Sequence, residues 1–412
     1  MARNLLAADW AVFPLRLKTL LVAVFLTGVT TFMFMPFLAV SLTRSGLSVG
    51  QAGICVAVLL CGQQGLGHLA GVLVDRFGTQ YVLTGGLLVR VAAFAGLATL
   101  DGFVGLLTVC AMIGVGGCLV TLPIRVEFIG QDPAIRQRSL ALRGAAVNGA
   151  AILGPPFGTL LLAADFRWVC LAAMATQIGV LLLLSRRSFR AGARTTRLPR
   201  DPRVTEAPQP SAFLLLKDRR TITLLLAAFT FWFGYSQLNT TVALAIVHDT
   251  GTEAVLSALF VANAVIVLAL EYPVIRGLSS RRSSSYLVKL GMVSMSAAFA
   301  VLAMGVSVWV LAVFIVLFST AEIFYSSSVD DVIGRISPPQ GGGRYVGLLS
   351  LGDAAGSVSG SALGSTLFAL AGSHDLTHTY WWGVAALIAA ATTLFVLGQR
   401  HGTPDRIAEA RS

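Results

Sequence analysis

Apolar residues run along this chain in long blocks, broken by short polar stretches. Twelve such segments stand at 18–42, 49–74, 80–100, 103–126, 139–162, 166–185, 221–247, 253–275, 284–305, 307–329, 344–370 and 380–398. Each is near or above the ~20 residues that a membrane-spanning helix needs. One long break, 186–220, is polar, proline-containing and rich in arginine. It predicts a linker between an N-terminal bundle of six helices (1–185) and a C-terminal bundle of six (221–412). The predicted fold is an all-α membrane protein of twelve transmembrane helices in two pseudo-symmetric halves.

Composition agrees with that pattern. Of 412 residues, 56% are hydrophobic and 12% charged, where a soluble domain carries about 25% charge. The net charge of +11 would suggest nucleic acid in a soluble chain. Here the basic residues gather on one side of the predicted topology, which accounts for them better. Among the 30 Lys and Arg residues, only Arg44, Arg167 and Arg90 fall away from that side. The bias puts both termini in the cytoplasm, with the chain in a bacterial inner membrane. The segment after Lys18 is long enough to span, so no cleavable signal is expected. Five cysteines all fall in apolar runs and are expected to be small buried hydrophobes, not a disulfide framework or a metal site.

The halves look duplicated. One common shift aligns Gly154 with Gly360, Gly158 with Gly364, Arg138 with Arg344, Gly71 with Gly277 and Arg76 with Arg282. Parallel six-helix repeats joined by a linker are a transporter layout.

Two motifs carry a family resemblance over essentially the whole chain. Gly71-Val-Leu-Val-Asp75-Arg76-Phe-Gly78 lies between the second and third segments, and Gly154-Pro155-Pro156-Phe157-Gly158 lies in the fifth. The first resembles the G-x-L-x-D-R-x-G loop of the major facilitator superfamily. The second resembles the G-P-x-x-G motif of its drug:proton antiporter branches. Three positions depart from the family pattern. Thr79-Gln80-Tyr81 stands where basic residues usually follow the loop, Ala150 where a glycine precedes G-P-x-x-G, and Cys110 where the fourth helix usually carries an arginine. The resemblance implies alternating access by rocking of the halves, a proton gradient as driving force with no cofactor, a monomer, and a central cavity lined by helices one, four, seven and ten.

Ionisable groups inside apolar segments are the strongest chemical candidates, because each costs several kcal/mol unless paired or hydrated. Glu322 shares a face of the tenth segment with Ser319 and Ser326, with Tyr325 close by. It is the first candidate for a proton- or substrate-binding carboxylate; a tie to Arg335 or Arg344 is the structural alternative. Asp353 lies roughly 13 Å into the eleventh segment, within the ridge Gly352, Gly356, Gly360 and Gly364. It is either a proton carrier or a group that caps or pairs within the C-terminal half. Glu271 in the eighth segment suits a salt bridge to Arg276 or Arg344 better than coupling. Arg90 in the third requires partners, with Gln63 and Gln64 of the second segment in reach, and substrate contact as the other reading. Trp232, Tyr235, Gln237 and Asn239 of the seventh segment and Thr27, Thr31 and Phe34 of the first suit a large, mostly apolar cavity, though ordinary helix packing would use them equally. Arg125, Glu127 and Arg143 are expected to form a cytoplasmic gate with Asp75. His68 is read as a packing residue, and His248, His374 and His378 as solvated.

No GxxxxGK[ST], HExxH or Ser/His/Asp arrangement occurs, so neither direct ATP drive nor an intramembrane enzyme is indicated. The combined reading is a proton-coupled exporter of small amphipathic or drug-like molecules. A proton-coupled importer of a small metabolite and a non-transporting, transporter-like receptor remain the alternatives.

Overall fold

The computed structural model describes residues 13–129, 131, 133–185, 218–279, 282–336 and 342–400. These stretches are mostly helical, joined by short turns. The helices are α1 (Leu15–Arg44), α2 (Val49–Leu60), α3 (Gly67–Phe77), α4 (Thr79–Thr99), α5 (Phe103–Ile129), α6 (Pro133–Leu162) and α7 (Phe166–Ser185). They continue as α8 (Arg219–Gln237), α9 (Thr241–Thr250), α10 (Glu253–Ser279), α11 (Ser284–Leu302), α12 (Val308–Ile336), α13 (Gly342–Ser359), α14 (Ser365–Ser373) and α15 (Thr377–Arg400). Among the described residues, 11 helical stretches are long and apolar enough to cross a membrane, and Val49–Gly65 is a shorter apolar helix. Together they account for all twelve expected segments. The expected linker lies outside the described residues up to 217; Asp218 caps α8, its carboxylate accepting from the Thr221 amide at 3.2 Å and hydroxyl at 2.8 Å.

Three segments are not the continuous helices that the hydropathy pattern suggests. The second contains a π-helical turn, Cys61–Gly65, between α2 and α3. The seventh breaks at residues 238–240, between α8 and α9. The eleventh carries a π turn, Gly360–Gly364, between α13 and α14. Each π turn holds two glycines, which lower the cost of departing from α-helix. Inside the helices, threonine hydroxyls donate to the carbonyl one turn back, as Thr27 does to Ala23 at 2.7 Å and Thr392 to Ile388 at 2.7 Å. A hydroxyl satisfied in this way is tolerable in an apolar surround.

The predicted loop at Gly71–Gly78 is mostly helix. Gly71 lies within α3, and a Cβ there would meet nothing within 4 Å, so it serves neither a turn nor a close approach. Gly78 alone makes the turn, with φ of 86°, a backbone state that favours glycine.

The chain forms two compact units. One comprises Met1–Val204, Gln237–Leu268 and Ser361–Ala369; the other Thr205–Ser236, Ala269–Gly360 and Leu370–Ser412. In the first, α1 packs on α6 and α7, α4 on α5 and α7, and α2 on α5. Glycines set the closest approaches. A Cβ on Gly154 would stand 2.5 Å from the Phe32 Cβ, and one on Gly158 would strike the Met33 carbonyl oxygen. Gly28 of α1 would meet the Ala150 side chain at 2.8 Å. The small residue that the G-P-x-x-G pattern places on α6 is thus complemented from the opposite helix. In the second unit, a Cβ on Gly356 would strike the Phe229 carbonyl and one on Gly360 the Phe233 carbonyl. Gly154 and Gly360, aligned by the common shift, therefore do similar work: Gly154 lets α6 close onto α1, and Gly360 lets the turn after α13 close onto α8.

Four cysteines, Cys55, Cys110, Cys118 and Cys170, are buried and none forms a disulfide, but Cys61 on the π turn is exposed, against expectation. Six residues at about 100° each already carry Cys61 about 240° around the helix from Cys55, onto another face.

Candidate functional site

The second unit holds a carboxylate set against aromatic rings. Helix α8 carries Phe231, Trp232 and Tyr235 within five residues, and α12 carries Phe318, Glu322 and Tyr325 at helical spacing. The Tyr235 hydroxyl donates to Glu322 Oε1 at 3.2 Å. The Tyr235 ring lies 5.0 Å from Trp232 and 5.3 Å from Phe318 between centroids. Phe231 stacks on Tyr325 at 3.8 Å with the ring planes 8° apart. Glu322 and Tyr235 are both half-buried, whereas Phe231, Phe318 and Tyr325 are buried. Ser319 is buried on the same face, and the exposed Ser326 donates back to the Glu322 carbonyl at 2.5 Å. A carboxylate that accepts from a phenol among flat rings can take up a proton, accept from a ligand donor, or face a ligand cation that the rings also attract.

The other predicted carboxylates lie elsewhere in this unit. Glu271 of α10 accepts from the Ser327 hydroxyl of α12 at 3.0 Å. That is a neutral donor, missed in the sequence because only charged partners were considered; the side chains of Arg276, Arg335 and Arg344 lie outside the described residues. Asp353 is half-buried on α13, one residue after Gly352, which faces the Leu225 carbonyl of α8.

In the first unit, Arg90 of α4 is 3% exposed. Its Nη2 donates to the Thr31 hydroxyl of α1 at 3.5 Å, and its guanidinium carbon lies 5.6 Å from the Phe94 ring centroid. The expected hydrogen bonds to Gln63 or Gln64 do not form. Thr27 is buried and bonded within its helix, and Phe34 packs edge-on against Phe94 at 5.2 Å, in the core. Gln237, fully buried, accepts from Thr241 at 2.5 Å, while Asn239 is half-buried in the break between α8 and α9. Cys110 is packed in the core beside Cys55 and Cys170.

Of the expected gate residues, Arg125 and Arg143 lie within electrostatic reach of each other. Glu127 of α5 is held by Arg16 of α1, with Nη2 to Oε1 at 2.7 Å and Nε to Oε2 at 3.2 Å. Arg16 escaped the sequence reading because it precedes the first apolar segment. Arg125 and Arg76 are exposed, Arg143 is half-buried with an unpartnered Nε, and the side chains of Asp75 and His68 lie outside the described residues. A further pair was not expected: Arg44, at the end of α1, meets Glu253 in the first turn of α10. His248 and His374 are exposed; His378, also exposed, makes a ring-nitrogen contact of 2.8 Å with the Ala303 carbonyl. No cluster of His, Cys, Asp and Glu suited to a metal occurs among the described residues.

Known proteins place this arrangement in context. A multidrug resistance protein MdtH of Aeromonas salmonicida (strain A449) is 24% identical over 385 residues, covering 91% of this chain and 92% of that protein. The protein of the same name from Yersinia pestis (strain Pestoides F) is 25% identical over 354 residues, covering 85% and 86%. Among solved structures, a peptide transporter POT in complex with sulfate matches with a TM-score of 0.75 at 17% identity, covering 94% of each chain. A bacterial homologue of the human lysosomal transporter Spinster, inward-facing and unoccupied, matches with a TM-score of 0.72 at 15% identity, covering 93% of this chain and 96% of that one. These similarities are to transporters, not enzymes. The sequence model of the Major Facilitator Superfamily matches residues 20–329, and with the motifs and the helical architecture already described, the chain belongs to that superfamily.

Proposed function

We propose that this multi-pass membrane protein exports small amphipathic or drug-like molecules in exchange for protons. The observation that carries the reading is the Tyr235–Glu322 hydrogen bond within the cluster of Phe231, Trp232, Phe318 and Tyr325. Flat rings and one ionisable group suit ligands that are mostly apolar and carry one polar or cationic centre. Proton and ligand then compete for Glu322, or for Asp353, in alternation. Exchange follows only if the two ligands differ in affinity for the two access states. The name multidrug resistance protein, borne by relatives at 24–25% identity, supports export over import. In this reading the halves 1–185 and 221–412 rock about the site, both termini face the cytoplasm of a bacterial inner membrane, the protein acts as a monomer, and the proton gradient is the only driver. Arg125, Arg143 and the Asp75–Arg76 end of α3 then serve the cytoplasmic closure.

The test is proton movement in proteoliposomes with an internal pH dye, offered lipophilic cations and neutral antibiotics. Substrate-dependent proton release from acid-loaded vesicles supports exchange. Proton entry together with substrate makes the protein an importer. Ligand binding without any flux makes it a receptor. Glu322→Gln and Asp353→Asn then locate the carrier: normal coupling in both variants removes these carboxylates from the mechanism.

A further inference from the structure

The core of the first unit is two apolar clusters with a polar storey between them. Along α1, Val24 belongs to one cluster and Met33 to the other, with Thr27, Thr30 and Thr31 between. Along α4, Leu87 and Ala93 bracket Arg90. Along α5, Ile113 and Val120 bracket Gly114, Gly116 and Gly117. Along α7, Ala173 and Val180 bracket Gln177. On the remaining side, the π turn Cys61–Gly65 begins two residues past Leu59 of the Met33 cluster. Thr31, Arg90, Gly116, Gly117 and Gln63 fall at one level, since Arg90 reaches Thr31 and borders Gly116 and Gly117, and Gln63 borders Gly117; α7, which carries Gln177, packs against both α1 and α4.

The polar groups at this level are short of partners. Arg90 has one hydrogen bond, at the long limit of 3.5 Å, and its buried Nε has none. No carboxylate pairs with it among the described residues. Gln177 is fully buried, and neither its amide oxygen nor its amide nitrogen has a partner. Gly117 leaves room for a methyl group beside Arg90 and Gln63. A Cβ there would lie 3.6 Å from the Gln63 amide carbon and 4.0 Å from Arg90 Nη1, both ordinary contact distances. Gln63 and Arg90 thus border the same spot. The donors here are a guanidinium and two amides, with no counter-charge among the described residues; the Thr31 hydroxyl already donates to the Thr27 carbonyl at 3.0 Å and accepts from Arg90. A buried cation in that condition is costly, and an anion supplies the acceptor it lacks. The π turn, whose Cys61, Gln64 and Gly65 are exposed, leads to this level from the surface of the unit.

We propose that the storey is a binding site for a compact monovalent anion, either chloride or the carboxylate of a carried molecule, held by Arg90 with Thr31, Gln63 and Gln177 around it. The chloride form is independent of the export reading; the carboxylate form rests on transport.

Binding decides the matter without any flux. The full-length protein in detergent is titrated with chloride and, separately, with acetate, against a bulky sulfonate as the reference anion. Thermal melting and equilibrium dialysis of radiolabelled chloride or acetate are the readouts. A saturable rise in melting temperature is expected with one of the two anions, since a ligand of the folded state stabilises it. Affinity should fall at least about tenfold in Arg90→Gln, the scale of a lost charged hydrogen bond, and should also fall in Gln177→Leu. Should Arg90→Gln not fold, Thr31→Val and Gln177→Leu carry the comparison. Response to chloride assigns an inorganic anion. Response to acetate alone assigns a carboxylate. No saturable response to either up to about 100 mM, or equal responses in wild type and variants, overturns the proposal and leaves the export test unaffected.

Discussion

Tyr235 and Glu322, on α8 and α12, are joined by a hydrogen bond of 3.2 Å from the phenol to Oε1. The phenol ring is itself held by Trp232 and Phe318, so the donor is fixed before any ligand arrives. A preoriented donor costs no ordering entropy when the carboxylate changes state. Removing the hydroxyl should therefore disturb the carboxylate and spare the packing. In Tyr235→Phe, the melting temperature should stay within a few degrees of wild type, and substrate-driven proton flux should drop about tenfold, the scale of one charged hydrogen bond. Unchanged flux would show that the phenol has no part in coupling.

The motif glycines should divide sharply. A Cβ at Gly158 strikes the Met33 carbonyl, while one at Gly71 meets open space. Gly158→Ala should lose about 1–3 kcal/mol through forced separation of α1 and α6. Gly71→Ala should be neutral or gain up to about 1 kcal/mol from helix propensity. Thermal melts of the two variants in detergent provide the comparison, and equal losses would contradict the packing described.

The Arg16–Glu127 pair has both oxygens engaged and only 5% of the Glu127 side chain exposed. Arg16→Ala leaves that carboxylate buried and unpaired, at about 3 kcal/mol. Adding Glu127→Gln to Arg16→Ala should recover much of the loss, because the stranded charge is gone. A double-mutant cycle on melting free energies tests this; simple additivity would mean that the pair is not coupled.

Arg44 and Glu253 are more open, with side chains 54% and 18% exposed. Their attraction should be worth no more than about 1 kcal/mol and should weaken with salt. Arg44→Glu should lower stability slightly, and the swapped pair Arg44→Glu with Glu253→Arg should restore it. Failure of the swap to restore would assign the effect to the individual side chains.

Of the five cysteines, Cys61 is the exposed one. Maleimide should label the folded protein in detergent once per chain, and Cys61→Ala should abolish labelling. A second reactive thiol would show that a buried cysteine becomes accessible through opening of its bundle.

Hydropathy alone determined the twelve crossings, because burying a backbone in lipid leaves little choice but a long apolar helix. Spacing along a helix determined that Glu322, Ser319 and Ser326 share a face, and that the glycine ridges serve close packing. Those are local or periodic properties, and the sequence states them directly. The partners were not legible. Tyr235 and Glu322 are 87 residues apart and Arg16 and Glu127 are 111 apart, and nothing periodic links positions so distant. The π turns at Cys61–Gly65 and Gly360–Gly364 were also hidden, because one extra residue per turn leaves an apolar run looking continuous. Gly71 and Gly158 look equally important in their motifs. Only the tertiary packing distinguishes them, since what a Cβ would meet depends on which helix lies opposite.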